Sequence, residues 1–179
     1  MPSVENPAPT LWLTGLPCSG KTTLAREMAA VLRTLRRRVE ILDGDEVRTW
    51  LTPGLGFSRE DRFENISRVA RVCALLNRHG VTAIAALVSP HQAARSEARR
   101  ICGADFVEVW VRCPPEVCAA RDVKGQWARA KRGEIRGFTG VDDPYEDPTA
   151  PDVTIASDQE TPTASAARVV EELRRRGGC

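Results

Sequence analysis

Gly15-Leu16-Pro17-Cys18-Ser19-Gly20-Lys21-Thr22 forms a complete Gly-x-x-x-x-Gly-Lys-Thr phosphate-binding loop, and its reading decides the fold. The apolar run Leu11-Trp12-Leu13 precedes it, and a helix-forming run from Thr23 through Leu32 follows. A strand, a Gly-rich turn and a helix in that order are the context the motif requires. A polyphosphate carries several negative charges, and successive backbone N–H groups aimed like a helix N-terminus supply the matching field. Gly15 and Gly20 permit backbone angles and a close approach that a Cβ would block. Lys21 is expected to reach the β- and γ-phosphates and the Thr22 hydroxyl to ligate Mg²⁺. The loop from Gly15 to Thr22, with Leu16, Pro17, Cys18 and Ser19 between its glycines, therefore predicts binding of a nucleoside triphosphate.

Outward from the loop, short apolar runs alternate with longer helical patterns, which implies a parallel sheet flanked by helices, a three-layer α/β/α arrangement. Five strands are expected at 11–14, 39–42, 82–88, 106–111 and 153–155, and helices at 21–35, 59–79, 91–102, 115–121 and 162–175. Ile66, Val69, Ala70, Cys73 and Leu76 recur at helical spacing and form a core stripe, which Gly80 ends. Between 122 and 151 apolar periodicity fades, and a polar segment of that length inside a compact domain reads as a mobile lid. Lids matter in phosphoryl transfer because bulk water competes for the phosphoryl group. The 179 residues read as a single domain behind a flexible, Pro-rich N-terminus at 1–9.

Composition narrows the partners. Twenty-six basic residues nearly balance 24 acidic ones, which argues against a nucleic-acid partner. No apolar stretch approaches a membrane span, and the N-terminus lacks a secretory pattern, so a cytoplasmic protein is expected. The arginine runs at 36–38 and 174–176 read as solvated caps at helix ends. Six cysteines without Cys-x-x-Cys spacing read as reduced thiols, Cys18 alone being a candidate for redox sensitivity because it sits in the anion-binding loop.

Asp43-Gly44-Asp45 follows the second expected strand, at the carboxyl edge where open parallel sheets bind ligands. One carboxylate there can take the proton of an attacking hydroxyl and the other can hold Mg²⁺; capping of a following short helix by Asp45 is the alternative. Ser58 and Asp61 suit a capping box, which leaves Arg62 and Asn65 on one helix face that suits an anionic, hydrogen-bonding acceptor, a solvated face being the alternative. Pro90 fits the first position of a helix, and Ser89 ends the middle strand, where it can meet substrate.

From Leu11 to about Pro148 the chain resembles the adenylylsulfate (APS) kinases of sulfate assimilation. The matching pieces include 15–23 with Thr23, 42–48, Leu-Gly-Phe-Ser-Arg-Glu-Asp-Arg-Phe-Glu-Asn-Ile (55–66), Ser-Pro-His (89–91), 121–125 and Gly-Glu-Ile-Arg-Gly-Phe-Thr-Gly-Val-Asp-Asp-Pro-Tyr-Glu (133–146). The resemblance implies a phosphate-loop kinase that moves the ATP γ-phosphate to the ribose 3′-hydroxyl of APS, giving PAPS and ADP with Mg²⁺. It implies Lys21, Asp43, Asp45 and Ser89 as catalytic residues, with Thr22 and Asp45 toward the metal and Asp43 or Asp45 as the proton acceptor. Arg121 would lie near the ATP base. Arg48, Arg62 and Asn65 would hold the phosphosulfate and ribose, Phe57 and Phe138 would sandwich the APS adenine, and Asp45, Val88, Ser89 and Lys124 would complete the acceptor site. Ser89 matches a position associated with a phosphoserine intermediate, but a single in-line displacement needs no relay, so a substrate contact is the reading preferred.

Three residues depart from the family pattern: Glu46 replaces the usual Asn, Gln92 the usual Arg, and Trp127 a frequent Tyr. The first two make the acceptor side less positive. A relative that phosphorylates another nucleotide-linked acceptor is the nearest alternative, and a nucleotide-dependent regulatory module the second. The partners implied are ATP and APS, with a homodimer and a separate ATP sulfurylase left open.

Overall fold

The computed structural model describes residues 8–177; the expectations for residues 1–7 and for Cys179 lie outside them. Five strands form one parallel sheet: β1 (Thr10–Thr14), β2 (Arg38–Asp43), β3 (Val81–Ala86), β4 (Phe106–Arg112) and β5 (Val153–Ala156). Their order is β2-β3-β1-β4-β5, with the phosphate-loop strand in the centre. Around it pack α1 (Lys21–Thr34), α2 (Gly44–Trp50), α3 (Arg59–Arg78), α4 (Gln92–Cys102), α5 (Pro115–Arg121), α6 (Gln126–Lys131) and α7 (Pro162–Arg175).

Alternation along β1 explains the three layers, because successive side chains point to opposite faces. Leu11 and Leu13 join Leu24, Met28, Leu32, Val169 and Leu173 of α1 and α7 in one core. Trp12 joins Ile66, Val69, Cys73, Ala94 and Ala98 of α3 and α4 in the other. All of these side chains are buried, so the sheet is dry on both faces, as parallel sheets require. The register places Leu13, Ala86 and Asp43 in one row across β1, β3 and β2. The phosphate loop, the Asp43 turn and the segment after β3 therefore leave the sheet side by side at its carboxyl edge.

Several boundaries differ from the sequence expectation. The third strand stops at Ala86 because β2 pairs no further, although Leu87 N–H still reaches the Leu13 carbonyl. Ala8 and Pro9 are buried, and the Pro9 carbonyl accepts from Ala83, so these two residues belong to the fold rather than to a free N-terminus. His91 is the N-cap of α4, which places Pro90 outside the helix rather than at its first position. Arg38 lies within β2 and donates to the His79 carbonyl, so it is no helix cap. Ser58 does cap α3 by accepting from Asp61 N–H, and the Asp61 carboxylate turns back to Gly56 N–H.

The 122–151 segment also holds more structure than its composition suggested. Its six-residue helix α6 buries Trp127 and Ala130 against Cys113, Cys118 and Phe138. Three apolar residues in so short a helix leave no periodicity to read. Trp127 Nε1 donates to the Pro17 carbonyl at 3.1 Å, which pins the segment to the phosphate loop. Gly140 (φ 96°) closes this packing: a Cβ there would meet the Trp127 ring at 2.7 Å and Leu16 at 3.1 Å. Gly140→Ala is expected to cost about 1–3 kcal/mol, read as a lower urea midpoint. An unchanged midpoint would show that the ring yields freely.

Candidate active site

A cavity of about 1310 Å³ opens at the carboxyl edge of the sheet. It exceeds the roughly 300–1,000 Å³ typical of a site for one small ligand. The phosphate loop borders one part of it, and the segments carrying Phe57, Arg62, Ser89 and Phe138 border another.

Pro17, Cys18, Gly20, Lys21, Thr22 and Thr23 line this cavity. Gly15, Leu16 and Ser19 shape the loop from behind. A Cβ on Gly15 would run into the Val111 carbonyl, and its φ of 151° suits only glycine. Ser19 is wholly buried, and Leu16 packs on the Trp127–Phe138 cluster.

Lys21 Nζ donates to the carbonyls of Gly15 (3.0 Å) and Leu16 (2.7 Å). Burial lowers its pKa from 10.5 to about 8, and the nearby Cys118, Cys18, Asp43 and Asp45 offset only part of that. Below pH 8 the ammonium is charged in the folded and the unfolded chain alike, and its desolvation cost is fully present. Between pH 8 and 10.5 only the unfolded chain keeps the proton, so this group's contribution to stability rises with pH. A bound polyphosphate restores the charge. ATP binding at pH 9 is therefore expected to take up close to one proton, about ten times the uptake at pH 7. Calorimetry in two buffers of different ionisation enthalpy reads this, and equal uptake at both pH values would falsify it.

The two aspartates separate in role. Asp43 is the N-cap of α2: its Oδ1 accepts from Asp45 N–H at 3.0 Å and its Oδ2 from the Thr22 hydroxyl at 2.6 Å. The cap is thus Asp43, not Asp45. Asp45 is exposed and pairs with the Lys124 ammonium across the cavity, which raises the Lys124 pKa. Hard oxygens of Thr22, Asp43 and Asp45 at the loop–helix junction suit Mg²⁺, which takes one or two carboxylates and completes its shell with phosphate and water.

On the acceptor side, Arg48 donates to the carbonyls of Leu55 and Gly56 and stacks 4.4 Å from the Phe57 ring centroid. Arg62 donates to the Phe57 carbonyl at 3.0 Å and to the Gly137 carbonyl at 2.7 Å. It also lies 3.5 Å from Asp143. One guanidinium therefore links the exposed Phe57 to the turn that carries the buried Phe138. Asn65 is buried and accepts from the Thr52 hydroxyl at 2.7 Å. Val88 and Ser89 line the cavity, and Ser89 Oγ accepts from Trp12 Nε1 at 3.1 Å. Arg121 borders the cavity beyond the loop, where it donates to the Ser157 carbonyl at 2.8 Å.

The expected site residues other than Gly15, Leu16 and Ser19 thus line one opening. Of the departures, Glu46 lines it, whereas Gln92 does not: the Gln92 carbonyl oxygen accepts from Arg95 at 2.7 Å. The expectation that Gln92 weakens the positive field of the acceptor side is corrected accordingly. Arg129, Arg136 and Ser157 line the cavity without having been singled out. Arg136 stands inside the quoted 133–146 run, so a signal for it existed; Ser157 follows a strand end and carried none. Cys18, Cys73, Cys102, Cys113 and Cys118 are free thiols, and burial beside Cys113 pushes Cys118 up to about 12.

A five-stranded parallel sheet with this loop, and a second set of binding elements in the same cavity, defines a phosphate-loop kinase. Several comparisons refine the class. The sequence profile of the Adenylylsulphate kinase family matches residues 7–156, and the chain belongs to that family. It is 54% identical over 170 residues to the adenylyl-sulfate kinase of Myxococcus xanthus, covering 93% of this chain and 91% of that one. It is 50% identical over 164 residues to a probable adenylyl-sulfate kinase of Synechocystis, covering 92% of each. Among solved structures, the Mycobacterium tuberculosis APS kinase CysC in complex with AMPPNP and APS superimposes with a TM-score of 0.92 at 36% identity. That match covers 95% of this chain and 99% of the other. A hexameric APS kinase from Thiobacillus denitrificans matches with a TM-score of 0.74 at 28% identity, over 99% of this chain and 31% of that one. Among the described residues, no helix is long and apolar enough to cross a membrane.

Proposed function

We propose that this kinase transfers the γ-phosphoryl group of ATP to the ribose 3′-hydroxyl of APS, yielding PAPS and ADP in sulfate activation. The observation that carries this reading is that phosphate-loop residues and Phe57, Arg62 and Phe138 line one large cavity. An aromatic pair braced by arginines suits a purine that bears an anionic tail, because a flat ring stacks while guanidinium groups meet phosphate or sulfate oxygens. The APS and AMPPNP named with the Mycobacterium tuberculosis kinase support both ligand classes.

In this reading Phe57 and Phe138 enclose the acceptor adenine, Arg48, Arg62 and Asn65 meet its phosphosulfate and ribose, and Lys124 closes toward the phosphates. Arg121 flanks the donor base. Thr22 and the neighbouring aspartates would hold Mg²⁺, which neutralises phosphate charge when bound. Lys21 and the loop N–H groups stabilise charge on the migrating group, and a carboxylate takes the hydroxyl proton. The 122–151 segment acts as a mobile lid that excludes water. The protein works in the cytoplasm on these small molecules; a homodimer and a separate sulfurylase complete the proposed setting. A coupled assay of ADP release tests the reading directly. APS-dependent release at least about 10²-fold above that with other nucleotide acceptors is expected. Release with a different acceptor and none with APS would overturn it.

Ser89 contacts substrate in this scheme and forms no phosphoenzyme. Ser89→Ala is expected to keep turnover within about tenfold, the scale of one lost neutral hydrogen bond. Loss of nearly all turnover with both ligands still bound would restore the covalent route.

A further inference from the structure

We propose that Arg95, outside the cavity, is a positioning residue that locks the acceptor-side Ser89 turn and the root of the 122–151 segment into one rigid piece. Ser89 is strained, with φ 46° in a residue that has a Cβ, and such a conformation persists only where its surroundings over-determine it. Pro90 follows it and offers no N–H to stabilise the turn. The missing restraint comes from α4. Arg95, 1% exposed, donates through Nη1 to the Ser89 carbonyl at 2.8 Å. Its Nη2 donates to the Glu146 carbonyl at 2.7 Å, where the segment returns from the cavity, and to the Gln92 side chain.

The remaining face of the guanidinium meets the buried Glu108 of β4 at 2.9 Å, so the charge is neutralised within the sheet. Two neighbouring contacts point the same way. Glu146 N–H donates to the Pro90 carbonyl at 2.8 Å, and the Glu146 carboxylate accepts from Gln92 N–H at 2.6 Å. Thr14 gives its hydroxyl proton to the Val88 carbonyl at 2.8 Å, so in the 2.8 Å Thr14–Tyr145 contact the phenol is the donor. The strand end that bears the phosphate loop, the Ser89 turn and the segment root thus meet around one planar five-donor fork, a geometry that lysine cannot reproduce.

The inference rests on Ser89 facing the acceptor, as proposed above. Arg95→Lys keeps a positive charge beside Glu108 but cannot serve both carbonyls. It is expected to lower kcat about 30-fold and raise the acceptor KM, while the ATP KM stays within about twofold, because misplacement by a fraction of an ångström acts on the reacting geometry. A purely structural role would reduce the folded fraction and leave kcat and both KM values per folded molecule unchanged; that outcome overturns the proposal. Should Arg95→Lys fail to fold, the Arg95→Met/Glu108→Leu pair decides, since apolar replacement of a buried ion pair commonly preserves stability. A folded double variant with wild-type kcat also overturns it. Absence of APS-dependent ADP release by the wild-type protein would instead reject the functional reading itself.

Discussion

Lys21→Ala is expected to reduce APS-dependent ADP release by at least about 10³-fold while the protein remains folded. The catalytic loss follows from position: Lys21 lines the cavity at the start of α1 and is the ammonium that the phosphate-loop motif aims at the migrating group. The fold survives for a separate reason. Burying this ammonium lowers its pKa from 10.5 to about 8, a desolvation cost of about 3 kcal/mol at neutral pH. Removing it forfeits hydrogen bonds to Gly15 and Leu16 but also removes that cost, so the melting temperature should stay close to that of the wild type. Initial rates with saturating ATP and APS, beside a thermal melt, separate the two effects. A variant that keeps a tenth of the activity would refute the site assignment.

The second large effect is expected at Asp45. Both Asp43 oxygens are engaged, one by the α2 N-terminus and one by the Thr22 hydroxyl, whereas the exposed Asp45 carboxylate pairs with the exposed Lys124 ammonium. We therefore propose Asp45 as the proton acceptor, and Asp43 as the group that sets the Thr22 hydroxyl and the turn. Asp45→Asn should cost about 10³-fold in kcat, in the range of a lost general base. An exposed side chain carries little packing, so its urea midpoint should not move. Asp43→Asn keeps a cap-competent side chain and should cost less in rate, with a loss of stability under about 1 kcal/mol. If Asp43→Asn proves the more damaging of the two, the roles are exchanged.

Much of this site could be read along the chain because its signals are local. The phosphate loop needs eight consecutive residues, and the capping of α3 by Ser58 needs four. The alternation of apolar runs with helical stripes predicted a parallel sheet, and its five strands lie within two residues of their expected ends. What escaped is of two kinds. Helix α6 was invisible because six residues cannot show a helical period. Asp45 stood as the alternative cap of α2, yet the structure uses Asp43, because both are aspartates and only backbone angles choose between them.

Gln92 shows the opposite limit. Read as a lost positive charge near the acceptor, it turns out to face Arg95 behind the cavity. A position in a motif names a neighbourhood and not the direction in which a side chain points. The same holds for Arg48 and Arg62, whose charges suggested an anion and whose donors also brace the Phe57 and Gly137 backbone.

By itself the sequence determined the phosphate loop, the sheet class and the residue types offered to a nucleotide acceptor, since each depends on spacing within a few residues. Only the tertiary structure decided that both Asp43 oxygens are engaged, that Lys21 is desolvated, and that one buried arginine joins Ser89 to Glu146, 57 residues further along the chain. Those properties depend on burial and on contacts between distant segments, and neither exists until the sheet brings its carboxyl edges together.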